Sequence, residues 1–563
     1  MLPNWVAKLP RNFRPRRQWL VYAIGLICSL TILCCNRQQT QELNRDYGIT
    51  ANPVPLYSNL GSLQHPISTK SPQAQSYFNQ GLTLVYGFNH GEAVRSFATA
   101  IKFDPDCAMC HWGIALALGP NINAGMKSEN ISIAWDEAKT ALKLSDRANV
   151  TPAEKEYIQA LQARYRPEAN ADRGRLDQAY AEAMQVVAQR YPQDADAATL
   201  YAEAVMDTSP WNYWDNGKPK AAISPAIAAL ETALKLDPAH PGAHHYYIHM
   251  MEDAPEPQKS LPSAETLGRV VPGIAHLVHM PSHIFQRVGR YREAVLANQQ
   301  AIAADKSYIA KSAPTPDYYH HYVAHNYHFL WSSAVLSGQS KLAIDTAQAI
   351  AAQAGRDSIA PLGNRDNFAA LPLYTFTRFG AWQSILATPK PKSKYVEGVW
   401  HYARGMALAN TGKIDEANTE LRSLQTISTA PDIAQLKIWD RPASKFLAVT
   451  IEDLSGTIAA RERNYPTAID HLTTAWQLAN KLSYSEFGNW FSAIGYDLGK
   501  LLLQSGRATE AATVYNQELA RYPENGYSLF GLAQSLKATG KKEEAKAVEQ
   551  RFAKAWQDAD FQL

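Results

Sequence analysis

The alternating Val/Thr segments that make strands are nearly missing from this chain of 563 residues, which excludes a sheet-built fold. Cysteine is scarce. Cys28, Cys34 and Cys35 lie in the first 35 positions, and only Cys107 and Cys110 lie beyond them. The prominent apolar run, Trp19 to Leu33, has 15 residues, short of the ~20 a comfortable membrane span needs. A His-Glu-x-x-His sequence is absent, so the common zinc-protease arrangement is excluded. What is present is Ala, Leu, Gln and Lys in helical period. With 46% hydrophobic residues, the material suffices for a large core or a long array, and the expected class is all-α.

The first 35 residues form a separate object. Lys8, Arg11, Arg14, Arg16 and Arg17 make a basic stretch without an acid, and the apolar run follows. This is the order of an export signal. Ile32-Leu33-Cys34-Cys35 resembles a lipoprotein cleavage box with Cys35 as the lipid acceptor, although Cys34 is unusual before a cut. Arg16-Arg17-Gln18-Trp19-Leu20 also resembles a twin-arginine signal, and an uncleaved anchor is the other reading. The whole chain carries +3 and this segment +5, so the remainder carries −2. The basicity therefore belongs to targeting, and no nucleic-acid partner is expected. Residues 36–71 are polar and without helical period, and are read as a flexible tether. The expected location is the periplasm or cell surface, with membrane attachment through the N-terminal lipid or anchor.

From Pro72 a repeat begins. Tyr77, Gly81, Leu84, Ala93, Phe97, Ala100 and Pro105 mark a first helix pair. Small residues let two helices approach, aromatic residues and Leu fill the gap, and Asp104-Pro105 stops the second helix. Further pairs are marked by Gly289, Ala294 and Ala301, by Gly338 and Ala343, by Gly405, Gly412 and Ala417, and by Gly499, Gly506 and Ala511. Gly540 stands 34 residues after Gly506. Weaker pairs surround Ala115, Tyr201, Tyr374 and Gly456. These spacings resemble the tetratricopeptide repeat, a 34-residue helix–turn–helix unit. The resemblance implies a right-handed superhelical solenoid of about nine or ten units over residues 72–563, and a protein or peptide partner.

Eleven of the sixteen histidines fall between His240 and His328, ten of them inside a histidine-rich middle at 241–332. His245 and His249 recur 34 residues later as His279 and His283. His245/His249/Glu252, His276/His279/His283 and His321/His325/His328 each have the i, i+3 or i+4, i+7 spacing of one helix face. In the family pattern, positions 2, 5, 9, 12 and 13 of each first helix face the concave groove. That register implies that the three stripes, with Asp253 and the upstream Glu203 and Asp207, line the groove. His244 and His320 fall off this face, His240 reads as a loop residue, and His65, His90, His401 and His471 are isolated. Imidazole with carboxylate suits Zn, Cu, Fe or Mn. Met250, Met251 and Met280 hint at copper, but their register points them into helix packing.

Cys107-Ala108-Met109-Cys110-His111 matches the c-type haem attachment pattern. The segment opens a helix that continues into packing residues, so a haem would need space beside a tight helix pair. A disulfide or reduced structural pair suits that setting better, and metal ligation by the two thiols is the third reading. Insertions at Ser209–Asp215 and Ala313–Pro316 flank the histidines, and Pro389–Lys392 reads as an exposed linker. Together these features suggest an exported scaffold with a histidine-rich metal site in its groove. The alternatives are a metal-dependent hydrolase or redox enzyme on the same solenoid, and a metal-free interaction scaffold.

Overall fold

The computed structural model describes residues 54–312, 318–354, 361–439, 441–482 and 494–563. Antiparallel helix pairs follow one another from Pro72–Tyr86 with His90–Phe103 to Gly526–Ala538 with Lys542–Ala555. Among the described residues the sheet amounts to two short hairpins, Trp214–Asp215 with Lys218–Pro219 and Lys437–Ile438 with Arg441–Pro442. No described helix is long and apolar enough to cross a membrane. The expected all-α solenoid is what the chain forms.

Local rules explain the helix starts. Ser71, Asn89, Asp194 and Asn525 each accept a backbone N–H from the first turn of the helix that follows. Thr151 and Glu154 make a reciprocal capping box. Between helices, glycine sets the approach distance. The Phe97 ring lies between Gly81 and Gly113, where an added Cβ would come within 2.6 and 2.5 Å of it. Tyr515 lies in the same way between Gly499 and Gly531, with an even tighter fit. In both cases the glycines stand sixteen residues before and after the ring.

Several three-residue turns share one conformation. Their middle residue is left-handed, and at positions 289, 338, 380, 412, 506 and 540 it is glycine, which adopts that backbone freely. Arg463 holds the same place with φ 63°. In the first pair it is Phe88, with φ 56°.

The array curls until distant units touch. Gly87 packs on Ile274 and Leu277, Tyr86 covers Gly242, and the Tyr308 hydroxyl donates to Glu92 at 3.1 Å. Further on, the Tyr291 hydroxyl donates to the Pro523 carbonyl at 2.8 Å, and Trp556 fills the space above Gly338. Two consequences correct the sequence reading. First, the described part of the supposed tether, 54–71, is packed: Val54 and Leu60 are buried, and Tyr57 donates to Glu92 at 2.7 Å. Residues 36–53 and the targeting segment lie outside the described residues. Second, the histidine-bearing face is not an open groove. The curl closes over it, and the histidines become core.

Candidate metal centre

Three consecutive first helices carry the site. Pro241–Met251 supplies His245 and His249, and Glu252 caps its end. The second is broken at Met280 into Ala275–His279 and Pro281–Arg287, because Pro281 has no N–H to continue the ladder. Met280 keeps helical angles, so His276, His279 and His283 stay on one face. The third, Ala324–Leu336, is entered through a π-helical turn at Tyr319–Val323 and supplies His325.

These stripes converge. His245, His249 and His276 bring ligand atoms within 4.8 Å of one another, as do His279, His283 and His325, and as do His249, Glu252 and His283. The members on the first two helices are 0–2% exposed, and His325 is half-buried.

Hydrogen bonding fixes the tautomers. His245 Nδ1 meets the Tyr86 carbonyl at 2.6 Å, so Nδ1 carries the proton and Nε2 the lone pair. His249 Nδ1 and His283 Nδ1 meet the two oxygens of Glu252 at 2.8 and 2.6 Å. His279 Nδ1 meets Asn298 Oδ1 at 2.7 Å, and that oxygen is identified because Asn298 Nδ2 donates to the Ala294 carbonyl. Four imidazoles therefore present bare Nε2 atoms inward. His279 Nε2 and His283 Nε2 lie 2.9 Å apart, lone pair against lone pair. His245 Nε2 lies 3.0 Å from His276 Nε2, and His249 Nε2 has no hydrogen-bond partner.

Facing lone pairs repel unless a cation lies between or beside them. A proton is a poor candidate here. Burial pushes the His245, His249 and His283 imidazoles down to about 3, and His279 well below its ordinary value. A transition-metal ion suits such donors, and ligating histidines characteristically donate their other N–H to a carboxylate or carbonyl, as these do.

A rear layer holds the front one. Asp196 accepts from His65 Nδ1 at 2.7 Å, from His240 Nε2 at 3.0 Å and from the Tyr86 hydroxyl at 2.5 Å. Burial opposes the charge on Asp196, but His65 and His240 outweigh it and keep its carboxyl far below the usual range. Asp196 thus fixes Tyr86, whose carbonyl fixes His245. His65 and His240, set aside on sequence, are anchors of the site. His244 is off the face as expected, bonding Ser263 Oγ and the Pro238 carbonyl.

Several aromatic rings pack on the imidazoles, among them Phe329 against His279, His283 and His325 at 4.7, 4.4 and 5.0 Å. Phe88 lies 4.6 Å from His245 and 5.5 Å from His276, centroid to centroid. Trp211, from the first insertion, meets His249 edge-on at 5.1 Å. Both are non-glycine residues with positive φ, 56° and 61°. Backbone strain of this kind, of order 1–3 kcal/mol, persists where surrounding structure imposes it.

Other expected members fall elsewhere. His328 turns about sixty degrees from His325 on its helix and packs on Trp331 and Phe368, at 5.4 and 5.3 Å. The His321 side chain lies outside the described residues. Asp253 is exposed. Glu203 and Asp207 pair with the buried Arg164 guanidinium, so they do not reach the imidazoles. Met250, Met251 and Met280 are core residues. Cys107 and Cys110 are joined by a disulfide across the first turn of Ala108–Leu118, and His111 Nδ1 bonds Glu137 at 2.5 Å. The disulfide uses both sulfurs that a haem attachment would need.

Residues 496–560 match the tetratricopeptide repeat family. Their helices carry the same glycine–aromatic–glycine clamp as the first pairs. A tetratricopeptide repeat is thus identified over residues 496–560, within an all-α array of helix pairs. Similar solved structures include the human IFIT1 dimer with m7Gppp-AAAA, at 13% identity over 86% of this chain and 90% of that one, with a TM-score of 0.29. Yeast Tom70 is similar at 12% identity over 85% and 90%, with a TM-score of 0.26. No curated protein matches the chain.

Proposed function

We propose that this tetratricopeptide-repeat protein is an exported, membrane-tethered scaffold whose buried histidine cluster holds a transition-metal ion. The observation that carries the metal is the set of four imidazoles with Nδ1–H anchored behind and Nε2 bare in front. Zn, Cu, Fe and Mn all accept such donors. The Cys107–Cys110 disulfide supports an oxidising compartment, where such bonds persist. The solenoid offers its outer helices to a protein or peptide partner. The enzymatic alternative draws support from the three-imidazole sets, since three protein ligands leave a coordination position for water or substrate.

Metal analysis of the natively exported, gently purified chain tests the proposal. Stoichiometric transition metal is expected, lost more readily from His279→Ala than from His244→Ala. A chain that stays metal-free after incubation with Zn, Cu, Fe and Mn ions would leave the interaction scaffold alone. Globomycin, or Cys35→Ala, is expected to block processing. An unchanged mature size would replace the lipid with an uncleaved anchor.

A further inference from the structure

The ligands fall into two sets, and that division says more than the presence of a metal. His245, His249 and His276 form one trio, and His279, His283 and His325 the other, with no member in common. Glu252 stands between them. One carboxylate oxygen takes His249 Nδ1–H and the other takes His283 Nδ1–H. The Nε2 atoms of these two rings, on the side away from the carboxylate, belong to different trios. The closest nitrogen pairs, at 3.0 and 2.9 Å, also lie within a trio: His245 with His276, and His279 with His283.

We propose that the cluster is a two-ion centre: two three-imidazole sites, each for one borderline first-row divalent ion, joined through Glu252 as their common rear partner. This rests on the metal-binding reading above. All-nitrogen donors favour Zn(II), Cu(II) or Co(II) over Mg(II) and Ca(II), which want oxygen. The trios are not equivalent. The first is wholly buried, under Phe88 and Trp211. The second includes half-buried His325 and has the readier approach from outside. The sites share a single carboxylate, so the first ion raises the local positive charge against the second. Binding is therefore stepwise, with the second ion weaker.

The competing arrangement is one ion held by His249, Glu252 and His283, which also lie within reach of one another. There Glu252 is a ligand, and the Nδ1 protons of its two histidines are displaced.

Cobalt titration of the full processed chain, stripped with chelator, distinguishes them through d–d absorption and bound-metal analysis. Two Co(II) per chain are expected, in two steps. His276→Ala and His325→Ala should each bind one, with helix content unchanged by circular dichroism, and His244→Ala should keep two. Glu252→Gln should retain two sites, each weakened about 10–100-fold. One Co(II) in the parent chain, abolished by Glu252→Gln, would overturn the two-ion centre and leave a single metal site. Loss of all binding in either His276→Ala or His325→Ala, with helix content intact, would also overturn it. No Co(II), Zn(II) or Cu(II) bound by the parent chain would remove the metal reading itself.

Discussion

Residues 72–336 and residues 494–556 use the same packing device for different ends. In each, a ring sits between two glycines sixteen positions away, Phe97 in the first region and Tyr515 in the second. Helix pairing is therefore equally well specified in both. The difference lies on the inward faces. The second region presents Tyr496 and Tyr527 there, in ring contact with each other, and the Tyr527 hydroxyl donates to the Val335 carbonyl. The first presents imidazoles whose bonding is complete on one side and open on the other. A repeat backbone tolerates either, so chemistry enters by side-chain exchange at fixed register, without change of fold.

The comparison can be broken at several points. The largest expected effect comes from Glu252→Ala, which leaves two buried Nδ1–H donors without acceptors. Metal affinity should fall by about 10–100-fold or more, measured by competition with a chromophoric chelator, while Glu518→Gln in the second region leaves affinity unchanged. Next, saturating metal at about 100 times its Kd should stabilise the first region by ~2.7 kcal/mol. Hydrogen exchange should show that protection around residues 241–287, with none at 526–555. Equal gains in both regions would show that the two unfold as one unit.

A pH effect is expected from carboxyls in the second region and in the helix Ala443–Arg461 before it. Burial pushes the Glu518 carboxyl up to about 7, against the Trp476 hydrogen bond, and burial with Asp497 pushes Asp453 up to about 7. Both values exceed those of the unfolded chain, so the folded state binds more protons between about pH 4 and 7. The contribution of these two carboxyls is therefore greatest at the acid end of that window and is lost as pH rises through it, opposite in sign to that of the buried His245, His249 and His283, whose lowered values favour the folded state as pH rises. Urea unfolding across the window should show the stability of Glu518→Gln gaining on that of the parent chain as pH rises. The smallest effect is at Gly412, with φ 84° and open space around a new Cβ. Gly412→Ala should cost about 1 kcal/mol from backbone conformation alone, read from thermal melting.

The helix pairs and their glycine and aromatic positions were legible in the sequence, because each is a local spacing. The imidazole stripes were legible for the same reason. The anchors were not. Asn298 belongs to the same helix pair as His279, but Asp196 and the Tyr86 carbonyl come from other units, and the curl of the array brings Tyr86 in. His328 has the spacing of the stripe but packs on Trp331 and on Phe368 of the next unit, a contact that local spacing does not show. Glu203 and Asp207 had the right register but were taken by Arg164, 39 to 43 residues before them. One local signal was readable and went unread: a Phe occupies the turn position that glycine takes in six other pairs.

Repeat arrays normally assemble from neighbour contacts alone, so any stretch can form before the rest exists. The bond from His245 to the Tyr86 carbonyl spans 159 residues and breaks that independence. Its two ends belong to units far apart in the array. The imidazoles cannot take their final orientation until the segment from residue 54 to beyond 325 has been delivered and has curled shut. Under the proposed function, metal uptake would be a late event in the life of the chain. A bound ion would mark a molecule that has finished folding.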